Sequence, residues 1–213
     1  MAEAISPQMS LELEGRRVTL RPLNEGDYEQ WRETRERCSD WLLPWEPRTA
    51  GAPYPKNERA TFLSRCSMRE RERQLGTAFG FGVFVKNTLC GEVNLSSIHR
   101  GPFLSAYIGY WMDRDRAGNG YTPEACVVLF RFAFEELDLH RLQISIVPRN
   151  RSSRRVVEKL GLRNEGIALR YLEIDGNWED HVRCAITSEE WRVRREQFMK
   201  DWLNPIAPAP APD

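Results

Sequence analysis

Nine residues, Arg114-Asp-Arg-Ala-Gly-Asn-Gly-Tyr-Thr122, stand between the most strand-like apolar segment of the chain and its clearest amphipathic helix. The segment before them, 102–112, carries the run FLSAYIGYWM, as a strand covered on both faces should. The segment after them, 122–137, places Ala125, Val128, Leu129, Phe132 and Ala133 at helical spacing. Thr122 suits its N-cap and Pro123 its first helical position. A glycine turn that opens a helix presents unpaired N–H groups and the positive end of the helix dipole, which together cradle a phosphate. Glycine also lets the backbone approach an anion with no Cβ in the way. Asn119-Gly120 alone reads equally as a hairpin turn, but a hairpin needs a strand after it and a helix follows. The loop is neither a Walker loop, which needs Gly-Lys-Ser/Thr, nor a G-x-G-x-x-G fingerprint.

Around this junction the pattern mixes strands and helices without a break. A strand is predicted over 17–22, a helix over 27–37 through Tyr28, Trp31 and Thr34, and an aromatic, proline-rich loop over 41–55. A charged helix follows over 57–73, its arginine–glutamate run read as a solvated face. Strands are predicted over 78–85, 89–98, 102–112 and 141–147, and a helix over 152–160 stopped by Gly161. Asp175-Gly176 marks a hairpin between strands 169–174 and 178–186, and a last helix covers 188–203. The reading is one α/β (α+β) domain over 11–203, with a flexible segment 1–10 and a Pro/Ala-rich, disordered tail 204–213.

Composition removes several classes. With 41% hydrophobic residues, a chain of 213 residues can bury a full core. Thirty-one basic and thirty-one acidic residues cancel, so global charge makes no case for a general nucleic-acid binder. Five widely spaced cysteines with no C-x-x-C pair fit reduced thiols, and His99, His140 and His181 lack metal-ligand spacing. No secretory leader and no membrane-length apolar run is visible, so a cytoplasmic protein without membrane or metal is expected.

A second segment, Val147-Pro-Arg-Asn150-Arg-Ser-Ser153, runs into Lys159-Leu-Gly-Leu-Arg-Asn-Glu-Gly166. Together with the glycine loop it resembles the GNAT acyltransferase superfamily, whose R/Q-x-x-G-x-G/A loop precedes an N-x-x-S helix ending in K-L-G-F-x-x-E-G. Gly120 matches the central glycine, while Ala117 replaces the usual Arg or Gln and Thr122 the last small residue. Asn150 and Ser153 match N-x-x-S, and Leu162 stands for Phe. Three further segments, GEVNLSSI at 91–98, AYIGY at 106–110 and YLEIDGNWEDHV at 171–182, look like the ribosomal-protein N-terminal-alanine acetyltransferases of that superfamily. The likeness spans about Leu13 to Trp191.

The resemblance implies a mixed central sheet, splayed beside the strand 102–112 and flanked by helices. It implies acetyl transfer from acetyl-CoA to an amine, at best guess the N-terminal alanine of the fifth small-subunit ribosomal protein. The alternatives are another acceptor (polyamine, antibiotic or lysine) or a non-catalytic CoA-binding ribosome-assembly factor. Pantetheine would pair with Trp111 and Met112, and pyrophosphate would sit on Ala117, Gly118, Asn119, Gly120, Tyr121 and Thr122. Ser153 is the family's candidate acid for the departing thiolate, with helix capping as the plain alternative. Asn150 is assigned to pantetheine ahead of capping. Tyr107 stands where many relatives carry a glutamate base, and Glu92 and Asn94, on one strand face, are candidates to orient the amine. Glu173 and His181 are further polar candidates, and Trp41, Trp45 and Tyr54 are candidate walls of the acceptor pocket. Arg149, Arg151, Arg154 and Arg155 form a basic cluster for CoA phosphate or ribosomal RNA, in a monomer or homodimer.

Overall fold

The computed structural model describes residues 11–53 and 57–204, so the expectations for 1–10, Tyr54 and 205–213 fall outside it. Its elements follow the chain as β1 (Leu13–Glu14), β2 (Thr19–Arg21), α1 (Tyr28–Arg37), α2 (Ser39–Leu42) and α3 (Arg59–Leu75). Next come β3 (Phe79–Val85), β4 (Thr88–His99), β5 (Ser105–Met112), α4 (Tyr121–Arg131) and β6 (Arg141–Ile146). The last four are α5 (Arg151–Lys159), β7 (Arg163–Ile174), β8 (Asn177–Thr187) and α6 (Ser188–Phe198).

Two hairpins are set by their turns. Lys86 and Asn87 (φ 50° and 64°), and Asp175 and Gly176 (φ 47° and 80°), put both central residues at positive φ, the geometry that matches the twist of paired strands. The eight strands form one sheet in the order β1-β2-β3-β4-β5-β6-β8-β7. Neighbours run antiparallel except β5 and β6, which are parallel and joined through α4. One face of the sheet buries Phe81, Leu95, Ala106 and Ile144 against α4 and α6, which supply Leu129, Phe130 and Trp191. The other face packs Phe84 and Leu89 against Tyr28 and Trp31 of α1 and Phe62 of α3. The result is a single mixed α/β domain with an open, mostly antiparallel sheet between helices.

The parallel pair is short. Ser105, Ala106 and Tyr107 register with Arg141, Leu142 and Gln143, and the pairing stops there. β5 continues to Met112 and β6 to Ile146, the latter paired with β8 alone among the described strands. The sheet therefore splays beside β5, as the resemblance implied.

Three local expectations are corrected. The α4 helix opens at Tyr121, capped by Gly120 at φ +83°, so Thr122 and Pro123 sit inside its first turn. The chain enters this helix through a left-handed residue, which glycine adopts without a Cβ clash. After Arg131 the helix widens into a π turn over Phe132–Glu136. The β7 strand starts at Arg163, six residues early, because its first half is an exposed edge with no hydrophobic alternation to read. Finally, the charged run of α3 is not uniformly solvated. Arg65 and Arg69 turn inward to a buried carboxylate.

Candidate active site

The splay is lined by backbone. Asp113 donates its N–H to the Cys90 carbonyl at 2.7 Å, so strand alternation turns the groups of Trp111 toward β4 as well. Ile108, Tyr110 and Met112 face the gap instead. Of the two residues expected to line it, Met112 does and Trp111 does not. Trp41, expected as a pocket wall, donates its indole N–H to the Met112 carbonyl at 3.2 Å. Trp45 lies beneath the Arg149 guanidinium, 4.7 Å from the ring centre, and Arg149 pairs with Glu179 at 2.5 Å. Arg149 is thus paired with an acid, although it is exposed, as are Arg151, Arg154 and Arg155.

The glycine loop sits at the end of β5. Gly118 and Gly120 share φ +83°. Ala117 donates to the Arg114 carbonyl at 3.2 Å, and the Glu124 amide donates to the Gly120 carbonyl at 3.2 Å. Between them lie the amides of 118–122, the orphan donors of a helix N-terminus. Asn119 is used inside the loop, its Nδ2 donating to the Arg116 carbonyl at 3.1 Å.

Sequence reasoning missed the clamp that holds this loop. Glu124, fully buried in the first turn of α4, accepts the N–H groups of Arg17 and of Val18 (3.0 Å) and the Arg17 Nε (2.8 Å). Arg17 in turn donates from Nη1 to the Asn119 carbonyl at 3.0 Å and lies 4.9 Å from the Tyr121 ring centre. The available signal was a carboxylate inside the most apolar helix of the chain.

Across the gap, Asn150 caps α5, its Oδ1 accepting the Ser153 N–H at 3.0 Å. Capping is thus Asn150's observed role, against the preference for pantetheine, and its Nδ2 is the part left for a ligand. The cap is neither serine. The Ser153 hydroxyl instead meets the Tyr110 hydroxyl at 2.8 Å. Burial pushes the Tyr110 phenol well above its ordinary value, so it keeps its proton. Tyr110 was not singled out from the sequence. Period-two alternation gives its face, but only the tertiary fold brings α5 against it.

The opposite face of the sheet carries Tyr107, Glu92 and Asn94, the first two pairs apart from the last along β4 and β5. Tyr107 forms the final pair before the splay, with Gln143, and its hydroxyl has no hydrogen-bond partner among the described residues. Glu92 is fully buried and accepts from Trp31 Nε1 (2.9 Å), from Arg65 and from Arg69 (2.5 Å). Burial pushes its carboxyl up, but the charges and hydrogen bonds of Arg69 and Arg65 outweigh that and hold it below the usual carboxylate range. It is a sealed anchor for α1 and α3, and the amine-orienting role expected of it has no access to solvent.

Asn94 differs. It lies between Gly80 and Gly109 on the neighbouring strands, and a Cβ placed on Gly109 would meet nothing within 4 Å. Its Oδ1 is buried and has no hydrogen-bond partner among the described residues. Open space thus lies over Gly109, next to Tyr107 and Asn94 on the same face, while Arg69 covers the Gly80 side of Asn94. Glu173 does not join them, since it accepts the Ala50 N–H at 2.8 Å and ties the loop to the hairpin. His181 is buried against Tyr171, 5.3 Å between ring centres, with Nδ1 3.0 Å from the Glu179 carbonyl. Among the described residues no helix is long and apolar enough to cross a membrane.

The sheet splits beside a helix whose first turn offers amides without a partner among the described residues, the arrangement that the resemblance implied, and comparison with known proteins shows the family. Residues 17–163 match the Acetyltransferase (GNAT) domain, and the chain belongs to that family. It is 33% identical over 181 residues to a probable N-acetyltransferase, YjcK, of Bacillus subtilis, covering 84% of this chain and 98% of that protein. It is 34% identical over 158 residues to the ribosomal protein uS5-alanine N-acetyltransferase of Escherichia coli, covering 73% and 79%. Among solved structures it resembles Mycobacterium smegmatis RimJ in complex with CoA-disulfide, with a TM-score of 0.84 at 30% identity, covering 90% of this chain and 94% of the other.

Proposed function

We propose that this N-acetyltransferase takes acetyl from acetyl-CoA to a protein N-terminal α-amine, and that its acceptor is the N-terminal alanine of a small-subunit ribosomal protein in the cytoplasm. One observation carries the reading. The unpaired edge of β5 ends on a glycine loop with orphan amides, which suits a ligand carrying amides along one arm and a pyrophosphate at its end. When bound, acetyl-CoA supplies an acetyl group activated as a thioester. The backbone groups of Tyr110, with the Ile108 carbonyl and the Met112 N–H, hold its amide arm; the Met112 carbonyl already accepts from Trp41. The amides of 118–122 hold the phosphates. Ser153 hydrogen-bonds the departing sulfur. Asn94 orients the amine in the space over Gly109, and Arg151, Arg154 and Arg155 offer a basic face to the ribosome.

The acceptor class follows from what stands beside that space. Tyr107, in place of glutamate, is no strong base, so an amine already partly neutral is favoured. An α-amine titrates near about 7.8 and a lysine near about 10.4, a difference of roughly 3.5 kcal/mol in deprotonation cost. The similarity to the uS5-alanine enzyme points to the same class. Thiol release from acetyl-CoA should be measured with an alanine-initiated peptide, the same peptide N-blocked but carrying an internal lysine, and an aminoglycoside. The alanine peptide should exceed the blocked one by at least about tenfold in kcat/KM. Faster turnover of the blocked lysine peptide or the aminoglycoside overturns the α-amine assignment.

A further inference from the structure

Tyr110 stands on β5 and Ser153 on the first turn of α5, and their hydroxyls meet at 2.8 Å where β5 and β6 have already parted. The Tyr110 Oη also lies 3.3 Å from the Ser153 carbonyl. Each hydroxyl carries one proton and donates once. If Ser153 donated to Tyr110, its proton would be used up inside the protein and none would face a ligand. A phenol is the stronger acid of the two and the better donor, while the alkyl hydroxyl is the better acceptor. Either hydroxyl can donate across the 2.8 Å contact, and Tyr110 also has the Ser153 carbonyl as an acceptor at 3.3 Å; the shorter distance and the better acceptor favour Tyr110 donating to the Ser153 Oγ.

We infer that Tyr110 is a positioning residue for acetyl transfer: by donating to Ser153 Oγ it sets the serine rotamer and leaves the serine proton directed at the departing sulfur. The inference rests on the acetyl-transfer reading above. The bonds balance without a proton leaving Tyr110. The amine nitrogen bonds the acetyl carbon, the C–S bond breaks with its electron pair on sulfur, and the amine's proton goes to water. Ser153 hydrogen-bonds the resulting thiolate, which then takes a proton from solvent. Tyr110 acts through Ser153 and touches no reacting atom.

The plain alternative is a strut that ties α5 to β5 and does nothing for the chemistry. A double-mutant cycle separates the two. Tyr110→Phe keeps the ring and removes the donor. It should lower kcat about tenfold with the KM for acetyl-CoA within about twofold of wild type. In a Ser153→Ala background the same change should cost less than about twofold, because the serine it orients is gone. Ser153→Thr, which keeps a hydroxyl, should recover activity only while Tyr110 is present. Should Tyr110→Phe fail to fold, Tyr110→Met gives a second hydroxyl-free side chain of adaptable shape. A Tyr110→Phe enzyme at full kcat, a loss that multiplies undiminished in Ser153→Ala, or an effect confined to KM and melting temperature overturns the inference. Wild-type protein that releases no thiol with any amine overturns the acetyl-transfer reading itself. An active wild type beside a fully active Tyr110→Phe removes only the role of Tyr110.

Discussion

Replacing Gly120 with valine tests the phosphate cradle at its tightest point. Gly120 caps α4 at φ +83°, a conformation that costs a non-glycine residue about 1–3 kcal/mol, most for a β-branched one. A Cβ there would also lie 3.3 Å from the Arg17 Nη2 and 3.6 Å from Trp202, both side chains that can give way. The protein should therefore still fold, with a loss of about 2 kcal/mol and a melting temperature lower by roughly 4–8 °C. If the loop instead relaxes to negative φ, at least one amide turns away from the ligand. A hydrogen bond to a charged group contributes about 1.5–3 kcal/mol, so acetyl-CoA affinity should fall roughly 10- to 100-fold. Gly118→Ala is the control. It shares φ +83° but its Cβ would meet nothing within 4 Å, so it carries backbone strain without the contact and should lose less. Calorimetric titration with acetyl-CoA alongside thermal melts reads both quantities. A folded Gly120→Val protein that binds acetyl-CoA as tightly as wild type would remove the cradle from the argument.

Glu124→Gln should cost about 2 kcal/mol in urea denaturation, because it disturbs two backbone donors that this fully buried carboxylate satisfies. It should also weaken acetyl-CoA binding by releasing Arg17 from the loop, and unchanged binding in a destabilised protein would restrict the clamp to stability. Glu92→Gln leaves two guanidiniums against a neutral amide and should cost about 3–5 kcal/mol. Because the folded Glu92 carboxyl sits below its ordinary value, its stabilisation is present above about pH 4.3 and lost as pH falls through the lowered folded value. Melts of wild type and variant should therefore converge on acidification, and a gap that widens instead contradicts the assignment. Asn150→Ala removes the α5 cap and should cost about 1 kcal/mol, detectable as a small drop in melting temperature.

The order of elements was legible because each leaves a local trace. Alternation marked β2, an apolar, aromatic run marked β5, Asp175-Gly176 marked the β7–β8 hairpin, and Tyr28, Trp31 and Thr34 are the buried residues of α1 as their spacing required. The glycine loop was legible for the same reason, since a strand, two positive-φ glycines and a helix are consecutive in the chain. Boundaries failed where local chemistry is silent. The exposed edge of β7 is specified by pairing with β8, and the start of α4 by the left-handed cap at Gly120.

The candidate site divides along the same line. Ser153, Asn150 and Gly120 could be singled out as candidates because they lie in contiguous motifs, whereas Tyr110 and the Arg17–Glu124 clamp join residues 43 and 107 positions apart. Glu92 and Asn94 look equivalent in the sequence, two residues apart on one strand face. The structure separates them through what packs above. Arg65 and Arg69 descend from α3 onto Glu92, while beside Asn94 Arg69 covers Gly80 and the Gly109 side is left open. What the sequence by itself determined is therefore the set of elements, their turns and the glycine-loop junction, each encoded in neighbours along the chain. Which carboxylate is sealed, which hydroxyl meets Ser153, and where the sheet parts were decided by the tertiary structure, because burial and hydrogen bonding depend on side chains that the chain brings together from far apart.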